Sequence, residues 1–409
     1  MKKLASLLFI VFPCLIFAQT YQLPNGNFES WGSEEPDYWN GFPSSRCDLS
    51  GLYAIGCSAA QETRHEQSSD VRPGSTGTSS CKLFATLVSL LGTSIPANGT
   101  LTTGQIRIGS STPASPENYN ITRTADGDLS QSFTGKPDYI RFWAKFECPS
   151  ATQEARMNTV IHDAYDYRDP EGSDANAGSH VVAKATRQFT ITNGWQEFVV
   201  PFDYQGYTAT SPAYILITFT TNAVQGEGSA NDFLYLDDVE MIYDVTLSDL
   251  QLNGATVTGF DANTLTYNMS LPAGTPIPTV SAVAASPRAQ VNITQATITD
   301  TTATVVVTSG DAIQTYSVVF SFTNAIQENN NNSFSVFPNP ATDNITVTMV
   351  EGTQATQVVV YNANGQQVRN ANINCNDVTI DIKDLEAGVY FISLQNGNTV
   401  VGTSKMIRK

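Results

Sequence analysis

An apolar residue at every second position places one face of an extended strand in a core, whereas a helix would scatter the same residues around its axis. Much of this chain is written that way. The clearest case is a hairpin, in which Ala303, Val305 and Val307 lead into the turn Ser309-Gly310-Asp311 and Tyr316, Val318 and Phe320 resume the alternation. Similar strand-like runs cover residues 139–146, 195–202, 214–220 and 233–243. They return as Ile345/Val347/Met349, as Val358/Val360 before an Asn364-Gly365 turn, as Val378/Ile380/Ile382, and at 389–394. Only residues 83–91 have apolar spacing compatible with a helix, and Thr86, Val88 and Gly92 weaken it. There is no strand–helix–strand alternation and no nucleotide-binding glycine fingerprint. The expected fold class is all-β.

At 409 residues the chain is too long for one core, and its composition shows where it divides. All four tryptophans and 12 of the 16 tyrosines precede residue 245. Residues 245–324 are rich in Thr, Val and Ala; residues 325–332 hold an Asn run without periodicity, which reads as a linker. These breaks give three β-sandwich domains in series, at 19–244, 245–324 and 333–409. Ahead of them, Lys2 and Lys3 precede a short apolar run, the pattern of a secretory signal peptide over residues 1–18. That run is too short to span a bilayer, no later stretch is long enough, and the mature chain is expected to have no membrane span.

Export frames the cysteines. Four of the five that follow the leader, Cys47, Cys57, Cys81 and Cys148, fall early, and Cys375 stands alone. Two disulfides are expected, Cys47–Cys57 and Cys81–Cys148 being one of three possible connectivities. A formal charge of −17, or −19 without Lys2 and Lys3, argues against nucleic-acid partners and anionic membranes.

The last segment carries four spaced motifs: VFPNPATDNITV (336–347), VVVYNANGQQV (358–368), DIKDLEAGVYFISL (381–394) and KMIRK (405–409). Together they resemble the type A C-terminal sorting domain of the type IX secretion system of Bacteroidetes. The resemblance implies passage through the periplasm, recognition by the type IX machinery, cleavage by a sortase and delivery to the outer-membrane surface or the medium. The middle segment, with LSDLQLNGATVTGFDANTLTYNMSLPAGTPIP (247–278), resembles the Ig-like or cadherin-like spacers of bacterial surface proteins.

In the first segment, the opening NGNFESW (25–31) and the closing FLYLDDVEM (233–241) resemble the jelly-roll, galactose-binding-like carbohydrate-binding modules. With SIPANGTLTTG (94–104), SFTGKPDYIRFWAKFE (132–147) and WQEFVVPFDY (195–204), the match extends to the carbohydrate-metabolism domain of Bacteroidetes surface proteins. This resemblance implies a polysaccharide or glycan as partner. It also implies a structural calcium held between the chain ends by Glu29, Asp237 and Asp238, the alternative being that these acids face solvent.

A sugar site needs an aromatic face and hydrogen-bonding side chains. Trp39, Tyr165, Tyr167 and Arg168 are the expected ligand contacts, with Trp143 and Trp195 expected in the core. The acidic run 162–180 lacks the order of a calcium loop and is expected to be solvated. No G-x-S-x-G or H-E-x-x-H motif occurs, and the expectation is a non-catalytic glycan-related surface protein. An adhesive protein and a glycan hydrolase are the alternatives.

Overall fold

The computed structural model describes residues 21–90, 93–172, 174–323, 333–397 and 399–409; the expected leader (1–18) and linker (325–332) lie outside them. Among the described residues, those up to Leu271 together with Pro276–Ser321 form one compact unit, and Pro272–Thr275 with Phe322–Lys409 form another. Strand dominates throughout, as the alternation predicts, and three separate apolar cores mark three sandwiches.

The strands of the first sandwich are, in chain order, β1 (Arg46–Cys47), β2 (His65–Ser68), β3 (Ser80–Phe84), β4 (Thr86–Leu90), β5 (Thr93–Ala97), β6 (Thr100–Thr102), β7 (Gln105–Ile108) and β8 (Tyr119–Ile121). They continue with β9 (Tyr139–Glu147), β10 (Ala155–His162), β11 (Arg168–Asp169), β12 (Val181–Phe189), β13 (Gln196–Pro201), β14 (Tyr214–Thr220) and β15 (Phe233–Ile242). The helix-compatible stretch at 83–91 is β3 and the β4–β5 hairpin, where β-branched residues favour extended backbone.

The first sheet has the order β13-β9-β15-β3-β2 and the second β12-β10-β14-β6. Between them lies the main core. In β9, Ile140, Phe142, Ala144 and Phe146 alternate inward, to meet Met157, Ile161, Ile217 and Phe219 from the second sheet. Burying each such large side chain contributes about 1.5–3 kcal/mol, which is why a strictly alternating strand has one register only. Trp143 alternates away from this core, and its ring lies under the Arg72 guanidinium at 5.3 Å. Trp195 is likewise outside it, donating to Asp70.

The opening motif closes the sandwich by its backbone. Val239 N donates to Gly26 O at 2.8 Å, and a Cβ on Gly26 would stand 2.1 Å from the Val239 carbonyl oxygen, so only glycine fits. The Gln22 amide exchanges two hydrogen bonds with the Met241 backbone, imitating a strand residue. Phe28 and Trp39 then plug the core, their rings 5.3 Å apart. Trp39 is 2% exposed and donates to Asn25 O, which corrects the expectation that it contacts a ligand.

Only one of the two expected disulfides is present. Cys47 and Cys57 are bonded, with Cα atoms 5.7 Å apart, while Cys81 and Cys148 are free thiols. Register explains the correction. Leu236 of β15 pairs with Cys81 on one side and Ala144 on the other, which places Cys148 four residues further along and two strands away. That is well over 10 Å, beyond the roughly 7 Å a disulfide tolerates.

In the second sandwich, the sheet Thr266–Pro272, Ala312–Thr323, Thr302–Ser309, Gln290–Thr294 faces the sheet of Leu247–Leu252 and Val280–Ala284. The expected hairpin is there, with Ser309 paired to Ala312 and Val305, Tyr316 and Val318 fully buried. Asp138 joins it to the first sandwich: it accepts from Ser286 Oγ at 2.6 Å, from Arg288, and from Asp244 N at 2.7 Å.

The third sandwich packs Ile345, Val347, Val358, Val360, Ile380, Ile392 and Met406 in its own core. Its first and last motifs are a single hydrogen-bonded structure. The Asn339 amide donates to Lys405 O and accepts from Ile407 N, Ala341 N donates to Ile407 O, and Lys409 N donates to Ala341 O.

Replacing Gly26 with alanine should destabilise the first sandwich by about 2 kcal/mol or more, because the new methyl meets rigid backbone. Urea unfolding of the full chain followed by tryptophan fluorescence checks this, since all tryptophans belong to that sandwich.

Candidate functional site

The second sheet is buried on both faces. Odd-numbered residues of β10 enter the main core, yet Arg156, Asn158, Val160 and His162 on the other face are also largely covered. The cover is a third sheet of short strands, β1-β7-β8-β11, supplied by the long stretch between Asn40 and Arg123 and by the 162–180 run. It seals one end of the outer face, where Val160, Tyr167, Val181 and Leu216 form a small apolar cluster. There His162 stacks between Tyr167 and Tyr214. Its Nδ1 donates to Asp163 O, and in the neutral ring that burial favours, Nε2 accepts from Thr122 Oγ1.

At the other end the two sheets stand apart and leave a cleft of about 180 Å³. Register builds both of its sides. Arg156, Thr220 and Thr100 are cross-strand partners on β10, β14 and β6 and form the floor. Asp169, Asn120 and Ile106 are cross-strand partners on β11, β8 and β7 and form the facing row. Arg156 Nη2 bonds Asp169 Oδ1 at 3.1 Å and ties floor to roof. Asn120 Oδ1 and Asp169 Oδ2 are buried and accept no hydrogen bond. Leu49, Gly56 and Ala60 from the disulfide-closed turn and Ile95 and Pro96 from the β4–β5 hairpin wall the ends. Buried oxygens without donors are costly, and these two belong to residues that line the cleft while having almost no accessible surface themselves.

The expected ligand residues lie around this cleft and not in it. Tyr165 stacks on His180 at 3.8 Å and donates to Asp174. Tyr167 is buried and donates to Glu171. Arg168 pairs with Asp174 and covers the ring of Tyr119, which does line the cleft. The acidic run is not simply solvated: Asp163 meets His180, Asp166 accepts from Thr124, Asp169 pairs with Arg156, and Glu171 with Lys184.

The expected calcium ligands do not fit a metal site. Glu29 accepts from Thr78 N, Ser79 N and Thr78 Oγ1. Asp237 accepts from Arg72 N and Asp238 N, and Asp238 pairs with the Arg72 guanidinium. A cation is thus already supplied at the closing strand by Arg72. Burial, with Asp238 adjacent, pushes the Asp237 carboxyl up to about 6. Among the described residues, no group of three or more His, Cys, Asp or Glu side chains is placed to hold a metal.

Residues 335–409 match the family of secretion system C-terminal sorting domains. The chain is therefore exported through the type IX system, to the cell surface or the medium, and its tail engages that machinery. Among the described residues no helix is long and apolar enough to cross a membrane. No curated protein sequence matches the chain. Among solved structures it is similar to the CBM22-1–GH10 modules of a Clostridium thermocellum xylanase complexed with xylohexaose, at 13% identity and a TM-score of 0.23, over 60% of this chain and 31% of that one. It is also similar to the BSP domain of a biofilm-associated protein, at 11% identity and a TM-score of 0.16, over 84% and 65%. A third likeness is to latent PorU of Porphyromonas gingivalis, at 12% identity and a TM-score of 0.15, over 67% and 30%. The chain spans less than two thirds of each of these structures, and likenesses this distant carry no functional argument.

Burial holds the His162 imidazole at about 4, below its ordinary 6.5. The folded state therefore resists a proton that the unfolded chain accepts. Stability is complete above about pH 6.5 and falls as pH drops toward 4, by about 3 kcal/mol from this residue. Urea titrations at pH 7 and pH 4 should show His162→Gln losing much of that fall.

Proposed function

We propose that the first sandwich of this exported chain holds a glycan in the cleft between its second and third sheets, as a binding protein and not a hydrolase. The observation that carries this reading is a cleft whose polar floor, Thr100, Thr218 and Thr220 with Arg156, faces an apolar wall of Ile95, Pro96 and Ile106. A sugar hydroxyl donates and accepts at once, which suits the floor threonines. Its C–H face suits the apolar wall.

Binding without cleavage is the better fit because Asp169 is the one carboxylate among the described lining residues, whereas glycoside hydrolysis ordinarily uses a pair. In this reading the second sandwich is a spacer, and the sorting domain is cleaved by a sortase once the cargo reaches the surface.

Calorimetric titration of the full chain with soluble polysaccharides tests the proposal. Thr100→Val keeps the volume of the side chain but removes its hydroxyl from the floor, and should weaken binding about tenfold or more. Absence of binding to every saccharide tried, or equal binding by the variant, would overturn it.

A further inference from the structure

We infer that the glycan held in this cleft carries carboxylate groups, a conclusion that rests on the cleft being a saccharide site. Charge is the reason. Residues 21–244 contain 27 Asp and Glu against 13 Lys and Arg, so the domain as a whole is acidic. The cleft inverts that balance. Arg64, Arg107 and Arg156 line it, against Asp169 alone.

The partners of these arginines leave positive charge over. Arg156 and Asp169 neutralise each other. Arg107 bonds Asp48 at 2.9 Å, but Asp48 is shared with Arg46 at 2.8 Å, so two guanidinium groups divide one carboxylate. Arg64 is 1% exposed and bonds only neutral oxygens: Thr86 Oγ1, Ala60 O and Ala59 O. It lies 4.1 Å over the Phe42 ring, and Glu62 acts on it from beyond ion-pair distance. Burial lowers its proton affinity to about 10, which still leaves it charged at neutral pH. Across the mouth, Tyr119 carries Arg107 on its ring at 5.1 Å and Arg168 at 5.0 Å.

Guanidinium groups in excess of carboxylates beside a cleft, in a domain where carboxylates predominate, match an anionic ligand. The opposite charge of the rest of the domain sharpens this. The net negative charge of the domain disfavours polyanions on average, so a local excess of guanidinium groups stands out against it.

The test compares polygalacturonate with its fully methyl-esterified form, which keeps the sugar and removes the charge, alongside neutral xylan, on the full chain. The free acid should bind at least about tenfold more tightly than the ester, and less tightly as salt rises. Arg107→Gln, which leaves Asp48 its Arg46 partner, should remove about tenfold of affinity for the acid and little for the ester. Equal or tighter binding of the ester or of xylan would overturn the charge assignment while leaving the saccharide site standing. No binding of any of the three would overturn both.

Discussion

A sheet buried on both faces has to be covered twice, and the first sandwich is organised around that requirement. β10 and β14 are buried almost residue for residue, so their sheet needs the first sheet beneath it and a third above. The third sheet is made of strands of two to four residues and cannot cover the whole surface. Where it falls short, polar residues replace apolar ones on the floor: Leu216 lies under the sealed end, while Thr218 and Thr220 lie under the open one. The cleft is a consequence of incomplete cover, and its chemistry follows from which residues the registers bring to the gap.

That gap is held rigidly. The disulfide-closed turn fixes one end wall, the Arg156–Asp169 pair spans the sheets, and the opening motif locks the last strand through Gly26 and Gln22. Preorganised polar groups bind without first being ordered, which favours a small ligand in a shallow site. Asp138, bonded to Ser286 and Arg288, anchors the second sandwich to the first by a buried carboxylate. The sorting domain needs none of this, having a core of its own.

Much of the architecture is legible in the sequence because alternation is local. The hairpin at 302–323 and the strands of the sorting domain are read directly from every second residue. The third sheet is not, since a two-residue strand such as Arg46–Cys47 has no period to detect. The same limit hid the site. Aromatic residues drew attention to Trp39, Tyr165 and Tyr167, yet Trp39 fills the core and the two tyrosines buttress the 162–180 run. Asn120, Arg156 and Asp169 matter through cross-strand register, which spacing along the chain does not encode. Cys81 and Cys148 failed as a pair for that reason too. The NGNFE motif was legible as a clasp, and the contacts that form it are a backbone approach at Gly26 and the pairing of Arg72 with Asp238 at the closing strand.

The central claim is that a saccharide occupies the space between the floor row Arg156–Thr220–Thr100 and the facing row Asp169–Asn120–Ile106. The most direct measurement is a crystal structure of the full chain soaked with a galacturonate oligosaccharide. The account predicts a sugar ring between the two rows, with hydroxyl groups on the floor threonines. A ring bound elsewhere, such as on the exposed Tyr38 or Tyr53, with the space between the rows empty, would contradict it.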